Sequence, residues 1–184
     1  MTIRAGDVDT GVVFIRSDLD DPVKIKADVS NLVERDRRTA LEKNDAAIET
    51  PEHFLAAVYA LGIDNLVIEI DSSELPGFDG SSDEYYKTLK KAGTVEQDKQ
   101  VDELVISEPI SVIEGEKSLY ALPYNTDKLD ITYDMDYTQH TGVGRQLYTC
   151  QLDRAHFESQ LSTCRTFVLE VEARQMQANG VGTH

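Results

Sequence analysis

The chain has 184 residues, 40% of them apolar, with 18 Lys+Arg against 34 Asp+Glu for a formal net charge of −16. That balance excludes a duplex-binding face, which needs basic groups to displace counterions, and disfavours a polybasic patch for anionic lipid. No apolar run approaches the ~20 residues of a spanning helix, the N-terminus lacks an apolar signal core, and two cysteines, Cys150 and Cys164, are too few for a disulfide framework. The expectation is a soluble cytoplasmic protein with reduced thiols.

In chain order, Gly11-Val12-Val13-Phe14-Ile15 predicts a short strand. Val23, Ile25, Ala27 and Val29 alternate with charged residues and predict a second, half-buried one. Thr50-Pro51 predicts a helix start, with Thr50 as N-cap and Pro51 at the first helical position. That helix runs to about Leu61 on the stripe Phe54, Leu55, Val58 and Leu61, and stops at Gly62. Leu66–Ile70 predicts a strand. Ser81-x-x-Glu84 is a capping box for a helix with Tyr85, Leu89 and Ala92 on one face, closing at Gly93.

The polar stretch Glu96–Gln100 is the expected boundary, giving a first α+β domain over 1–98 and a second, incomplete one over 99–184. In the second, Leu104–Val112 and Ser118–Leu122 predict a hairpin. Leu129, Ile131, Tyr133, Met135 and Tyr137 alternate with polar residues, which predicts a strand with one wet acidic face. Asp153 is expected to cap a helix carrying Phe157 and Leu161. Cys164–Leu169 reads as extended or turning, and Val171–Ala178 as helical up to Asn179-Gly180. The fold class is α+β: a two-domain sandwich, each half a small sheet layered on two helices, the second half incomplete.

Among candidate chemistry, Glu52-His53 stands out. Both residues fall in the first turn of a helix, where free N–H groups and the positive dipole end favour an anion, and they offer a base and a metal ligand side by side. A carboxylate there also simply suits a helix start. His53, His140, His156 and His184 are scattered and supply no metal site by spacing. Pro76–Ser82 reads as a tight turn with Asp79 accepting backbone N–H groups. Asp130, Asp134 and Asp136 read as a solvated strand face rather than a glycosidase pair or calcium site.

Thr50-Pro51-Glu52-His53-Phe54-Leu55-Ala56-Ala57, Leu61-Gly62-Ile63-Asp64-Asn65, Glu69-Ile70, Glu74-Leu75-Pro76 and Asp79-Gly80-Ser81 occur together in this order. So do Thr10–Phe14, Cys164-Arg165-Thr166-Phe167 and Gly180-Val181-Gly182. This set resembles the zinc-dependent UDP-3-O-acyl-N-acetylglucosamine deacetylases of lipid A biosynthesis, over nearly the whole chain. The resemblance implies Zn²⁺ as cofactor, a UDP-sugar lipid precursor as substrate, and a cleft between the two halves for both. By motif, His53 is similar to a zinc ligand and Glu52 to the general base. Thr166 is similar to the hydroxyl beside the oxyanion, and Phe167 to a residue near the glucosamine.

The resemblance also implies features that these 184 residues lack. They are a His and an Asp four apart in an H-K-x-x-D run, a general-acid His in a G-H segment, and an N-terminal strand with G-x-G-L-H-S-G. The expectation is therefore an enzyme fragment, truncated at both ends, that binds zinc weakly and does not turn over by itself. The competing expectation is a non-catalytic acidic binding or scaffold domain on the same fold.

Overall fold

A computed structural model describes residues 1–126, 128–140 and 142–178. They form two compact units, one of residues 1–94 with 158–178 and the other of the described residues of 95–157.

In the first unit a four-stranded sheet is built from β1 (Thr2–Ala5), β2 (Val12–Arg16), β3 (Val23–Lys26) and β7 (Leu66–Ile70), in the order β1-β7-β2-β3. β7 runs parallel to β2 and antiparallel to β1, while β3 is antiparallel to β2. The parallel pair needs a long crossover. It contains a second sheet of β4 (Leu32–Val33), β5 (Ala40–Lys43) and β6 (Ala46–Glu49), followed by α1 (Glu52–Ala60). Register aligns Phe14 with Ile25 on one side and Ile68 on the other, and all three side chains are fully buried. On this row packs α1, through an edge-on contact of Phe14 with Phe54 at 5.9 Å between ring centres. α2 (Asp83–Ala92) packs against α1 and buries Tyr85, Tyr86 and Leu89.

Three expectations change in this unit. The alternation from Val23 ends as a strand at Lys26. Asp28 accepts the Ser30 N–H at 2.9 Å and the Asn31 side chain donates to the Lys26 carbonyl, so Val29–Asn31 close into a 3₁₀ turn and Val29 is exposed. Thr50 is not the N-cap of α1. Pro51 occupies that position, and Thr50 sits in the left-handed region at φ +57° with its hydroxyl turned to Glu74. The N-cap of α2 falls one residue later than expected, at Ser82, and the helix begins at Asp83. The Ser81 Oγ still accepts the Asp83 N–H at 3.3 Å, and Gly93 closes the helix as expected.

The second unit holds two antiparallel hairpins. One pairs β8 (Ile110–Glu114) with β9 (Lys117–Ala121); residues 104–109, expected to extend it, form no strand. The other pairs β10 (Leu129–Tyr137) with β11 (Gly144–Leu152) along nine residues; β10 spans the residues expected, but Leu129, Ile131 and Tyr133 are exposed like the polar residues between them, so its wet surface is not confined to one face. Asp153 then caps α3 (Arg154–His156), its Oδ1 accepting the His156 N–H at 2.8 Å, and a π-turn over Phe157–Leu161 continues it.

Residues 158–178 pack with residues 1–94, whereas the sequence suggested a second domain over all of 99–184. Four contacts fix them there. Glu158 takes the Lys90 ammonium and the Tyr86 hydroxyl, the Ser162 carbonyl accepts the Ser82 N–H, and the Gly80 carbonyl accepts the Thr166 N–H. The last helix, α4 (Glu170–Ala178), starts one residue before the expected Val171 and is tied by Glu172 to Arg37 at 2.8 Å. The expected closure at Asn179-Gly180 and the segment Gly180-Val181-Gly182 lie outside the described residues.

Candidate functional site

The site grows from the junction of β6 and α1. Glu49 donates its N–H to the Ser73 carbonyl and accepts from Leu75, so the end of β6 is clamped to the segment after β7. Thr50 donates its N–H to the Thr39 carbonyl at 3.0 Å, and Pro51, fully buried, starts the helix without a side-chain cap. Glu52 and His53 therefore emerge half-buried in the first turn, where the unpaired N–H groups carry partial positive charge. The Glu52 Oε2 accepts the Thr39 N–H at 3.3 Å.

The third component arrives from far along the chain. Asp79 caps its own turn by accepting both the Ser81 hydroxyl, at 2.6 Å, and the Ser81 N–H. The hydrogen bond from that hydroxyl, aided by the nearby Arg165 charge, holds the Asp79 carboxyl below the usual range. Gly80 follows at φ +81°, a conformation a side chain disfavours, and aims its carbonyl at the Thr166 N–H at 3.0 Å. So anchored, the Thr166 Oγ1 lies 3.4 Å from the His53 Nε2, with the imidazole tautomer deciding which group donates. Phe167, the next residue, is 46% exposed.

His53 and Thr166, 113 residues apart in sequence, thus meet, and Glu52 stands next to His53 in the same helical turn with its carboxylate on the Thr39 N–H. The sequence reading missed two groups there: the Thr39 N–H on Glu52 and the Glu74 carboxylate on Thr50. The Thr39 group carries no motif because it belongs to the backbone; Glu74 stands in the Glu74-Leu75-Pro76 block, but nothing in that block points to Thr50, which it meets beside a bridge to Glu49. The acidic face of β10 is a different matter. Asp134 is forked by Arg145, and Asp136 accepts the Thr138 N–H. Both carboxyls lie below their usual range for those reasons, the opposite direction to the raised pKa of a glycosidase's general acid.

All of residues 1–184 match the family model LpxC, described as UDP-3-O-acyl N-acetylglycosamine deacetylase. The chain belongs to the LpxC family. The chain is 34% identical over 181 residues to the UDP-3-O-acyl-N-acetylglucosamine deacetylase of Geotalea uraniireducens (strain Rf4), covering 98% of this chain and 58% of that protein. It is likewise 34% identical over 182 residues to the protein of that name from Xanthomonas campestris pv. campestris (strain B100), covering 99% and 60%. The protein of the same name from Brucella ovis matches at 34% over 175 residues, 95% of this chain and 60% of its own. The LpxC chain described here thus spans about three fifths of the length of these curated relatives.

Zinc chemistry in this family asks for a set of ligands. A catalytic zinc takes about three protein ligands and leaves a position open. Among the described residues no three His, Cys, Asp or Glu side chains lie close enough together to hold a metal ion. The donor set therefore fits such a site only in part, through His53.

Proposed function

We propose that the LpxC protein carrying this chain removes the N-acetyl group of a UDP-3-O-acyl-N-acetylglucosamine by hydrolysis, with Glu52 as general base. The observation that carries this reading is the meeting of His53 and Thr166 beside Glu52 in a chain of this family. Glu52 takes a proton from water, whose oxygen attacks the acetyl carbonyl carbon; as the C–N bond breaks, the proton taken up is passed on to the departing nitrogen, giving acetic acid and a free amine. The Thr166 hydroxyl donates to the oxyanion formed on the way, and Phe167 lies against the sugar. His53 contributes one metal ligand, and the remaining ligands come from outside the described residues. Zinc, when bound, acidifies water and polarises the amide carbonyl. Cys150 and Cys164 are both free, which fits a cytoplasmic site of action.

The test is acetate release from UDP-3-O-acyl-N-acetylglucosamine by the protein purified from its own cells. Glu52→Ala is expected to slow it by about 10²–10⁴-fold, and Thr166→Ala by about 10²-fold or more. An active Glu52→Ala protein overturns the assignment of the base. Ligand binding without hydrolysis by the unaltered protein would favour a non-catalytic binding domain.

A further inference from the structure

We propose that Thr50 is the positioning residue for Glu52, holding its carboxylate through a strained backbone turn anchored on Glu74. The proposal rests on the reading of Glu52 as the base. A β-branched residue at φ +57° is a conformational outlier, since glycine or asparagine adopts that region at lower cost. Such a residue persists only where its surroundings over-determine it, and here they do. Its N–H is bound to the Thr39 carbonyl at 3.0 Å, and its Oγ1 donates to the Glu74 Oε1 at 2.8 Å. Glu74 is itself fixed by a parallel bridge to Glu49 and by the Arg38 guanidinium, 3.7 Å away, which also donates to Glu49 at 2.8 Å.

The consequence reaches Glu52 through Thr39. One peptide group of that residue accepts from Thr50 while its own N–H donates to the Glu52 Oε2. Thr39 therefore spends both backbone groups on the same short segment, and the left-handed turn at Thr50 brings the two bonds into register. If Thr50 served the fold alone, glycine would serve it better, since glycine takes φ +57° without a Cβ penalty. A glycine there loses the Glu74 anchor, however, and frees the turn to sample other angles. Glu52 would then wander from a geometry in which a displacement of about 1 Å can cost 10²-fold in rate.

The experiment compares Thr50→Gly and Thr50→Ser in the full-length protein, with three readouts: melting temperature, kcat and KM for deacetylation, and hydrogen exchange of the Thr39 amide. Thr50→Gly is expected to leave the melting temperature unchanged or raised. It should lower kcat by about 10–10²-fold at an unaltered KM and speed exchange at Thr39. Thr50→Ser keeps the hydroxyl and is expected to restore both kcat and protection. Wild-type kcat with wild-type Thr39 protection in Thr50→Gly overturns the proposal. So does a lower kcat that merely accompanies a lower melting temperature, because Thr50 then acts on the fold. If Glu52→Ala proves fully active, the reading of Glu52 fails separately. Exchange at Thr39 still decides the positioning: faster exchange in Thr50→Gly supports it, and unchanged exchange overturns it.

Discussion

Tyr85 concentrates the core behind the candidate site in one side chain. Its ring meets Phe54 edge-on at 5.4 Å and Phe78 at 4.9 Å, extending the stack that begins with Phe14. Its hydroxyl donates to the Pro76 carbonyl at 2.6 Å, and burial pushes its pKa up to about 12 from the usual 10.0. A folded-state pKa above the unfolded one means that the stabilisation is complete below pH 10 and is lost as pH rises toward 12. The loss is on the order of 2 kcal/mol. Alkaline unfolding followed by circular dichroism is therefore expected to be less steep in Tyr85→Phe, at a cost near neutrality of about 1 kcal/mol for the missing hydrogen bond. Equal alkaline sensitivity of the two proteins would contradict this. Tyr85 was legible from the spacing of the second helix, because an amphipathic face records burial directly. Thr50 was not: Thr-Pro reads as a cap, and a hydroxyl diverted to a residue 24 positions away leaves no local trace.

At the scale of elements, the two sheets of the first unit are joined by a buried charge. Arg16, at the end of β2, is almost wholly buried yet fully engaged. Its guanidinium forks Asp18 at 2.8 and 2.7 Å and donates to the Ala47 carbonyl of β6 at 2.8 Å. The hydrogen bonds to Asp18 raise the Arg16 pKa, and those to Arg16 lower that of Asp18. Removing only the carboxylate strands a buried cation, which costs more than removing both partners. Asp18→Ala is expected to lower the denaturation midpoint more than Arg16→Met combined with Asp18→Ala, measured by urea titration. A double variant less stable than Asp18→Ala alone would show that the Ala47 contact dominates. This junction was hidden in the sequence because β4 to β6 are short and alanine-rich, with Ala40, Ala46 and Ala47 carrying almost no strand signal. β10 was plain because five apolar residues alternate without a break, whereas its partner β11 mixes polar residues on both faces.

Across the whole molecule, the two units differ in what they bury. Among the described residues, Cys150 and Phe157 are the buried apolar side chains of 95–157, and the other buried apolar residues belong to the first unit. Ile110, Val112 and Leu119 of the first hairpin and Leu129, Ile131 and Tyr133 of the second are exposed. Cross-strand register puts Val112 beside Leu119 and Tyr133 beside Tyr148, so each hairpin has an apolar face. Two-stranded hairpins hold marginally without a covering layer, and amides open locally where few apolar contacts oppose it. In this 184-residue chain, amides of β8 to β11 are therefore expected to exchange through local opening, well before those of β2 and β7. The latter lie in a row of fully buried side chains and should exchange only when the first unit unfolds. Native-state hydrogen exchange at increasing urea separates the two cases. Strand amides of both units merging into a single unfolding isotherm would mean that the hairpins are held as firmly as the first sheet. The site of Glu52, His53 and Thr166 lies wholly in the first unit, so loosening of β8 to β11 should leave exchange at Thr39 unchanged.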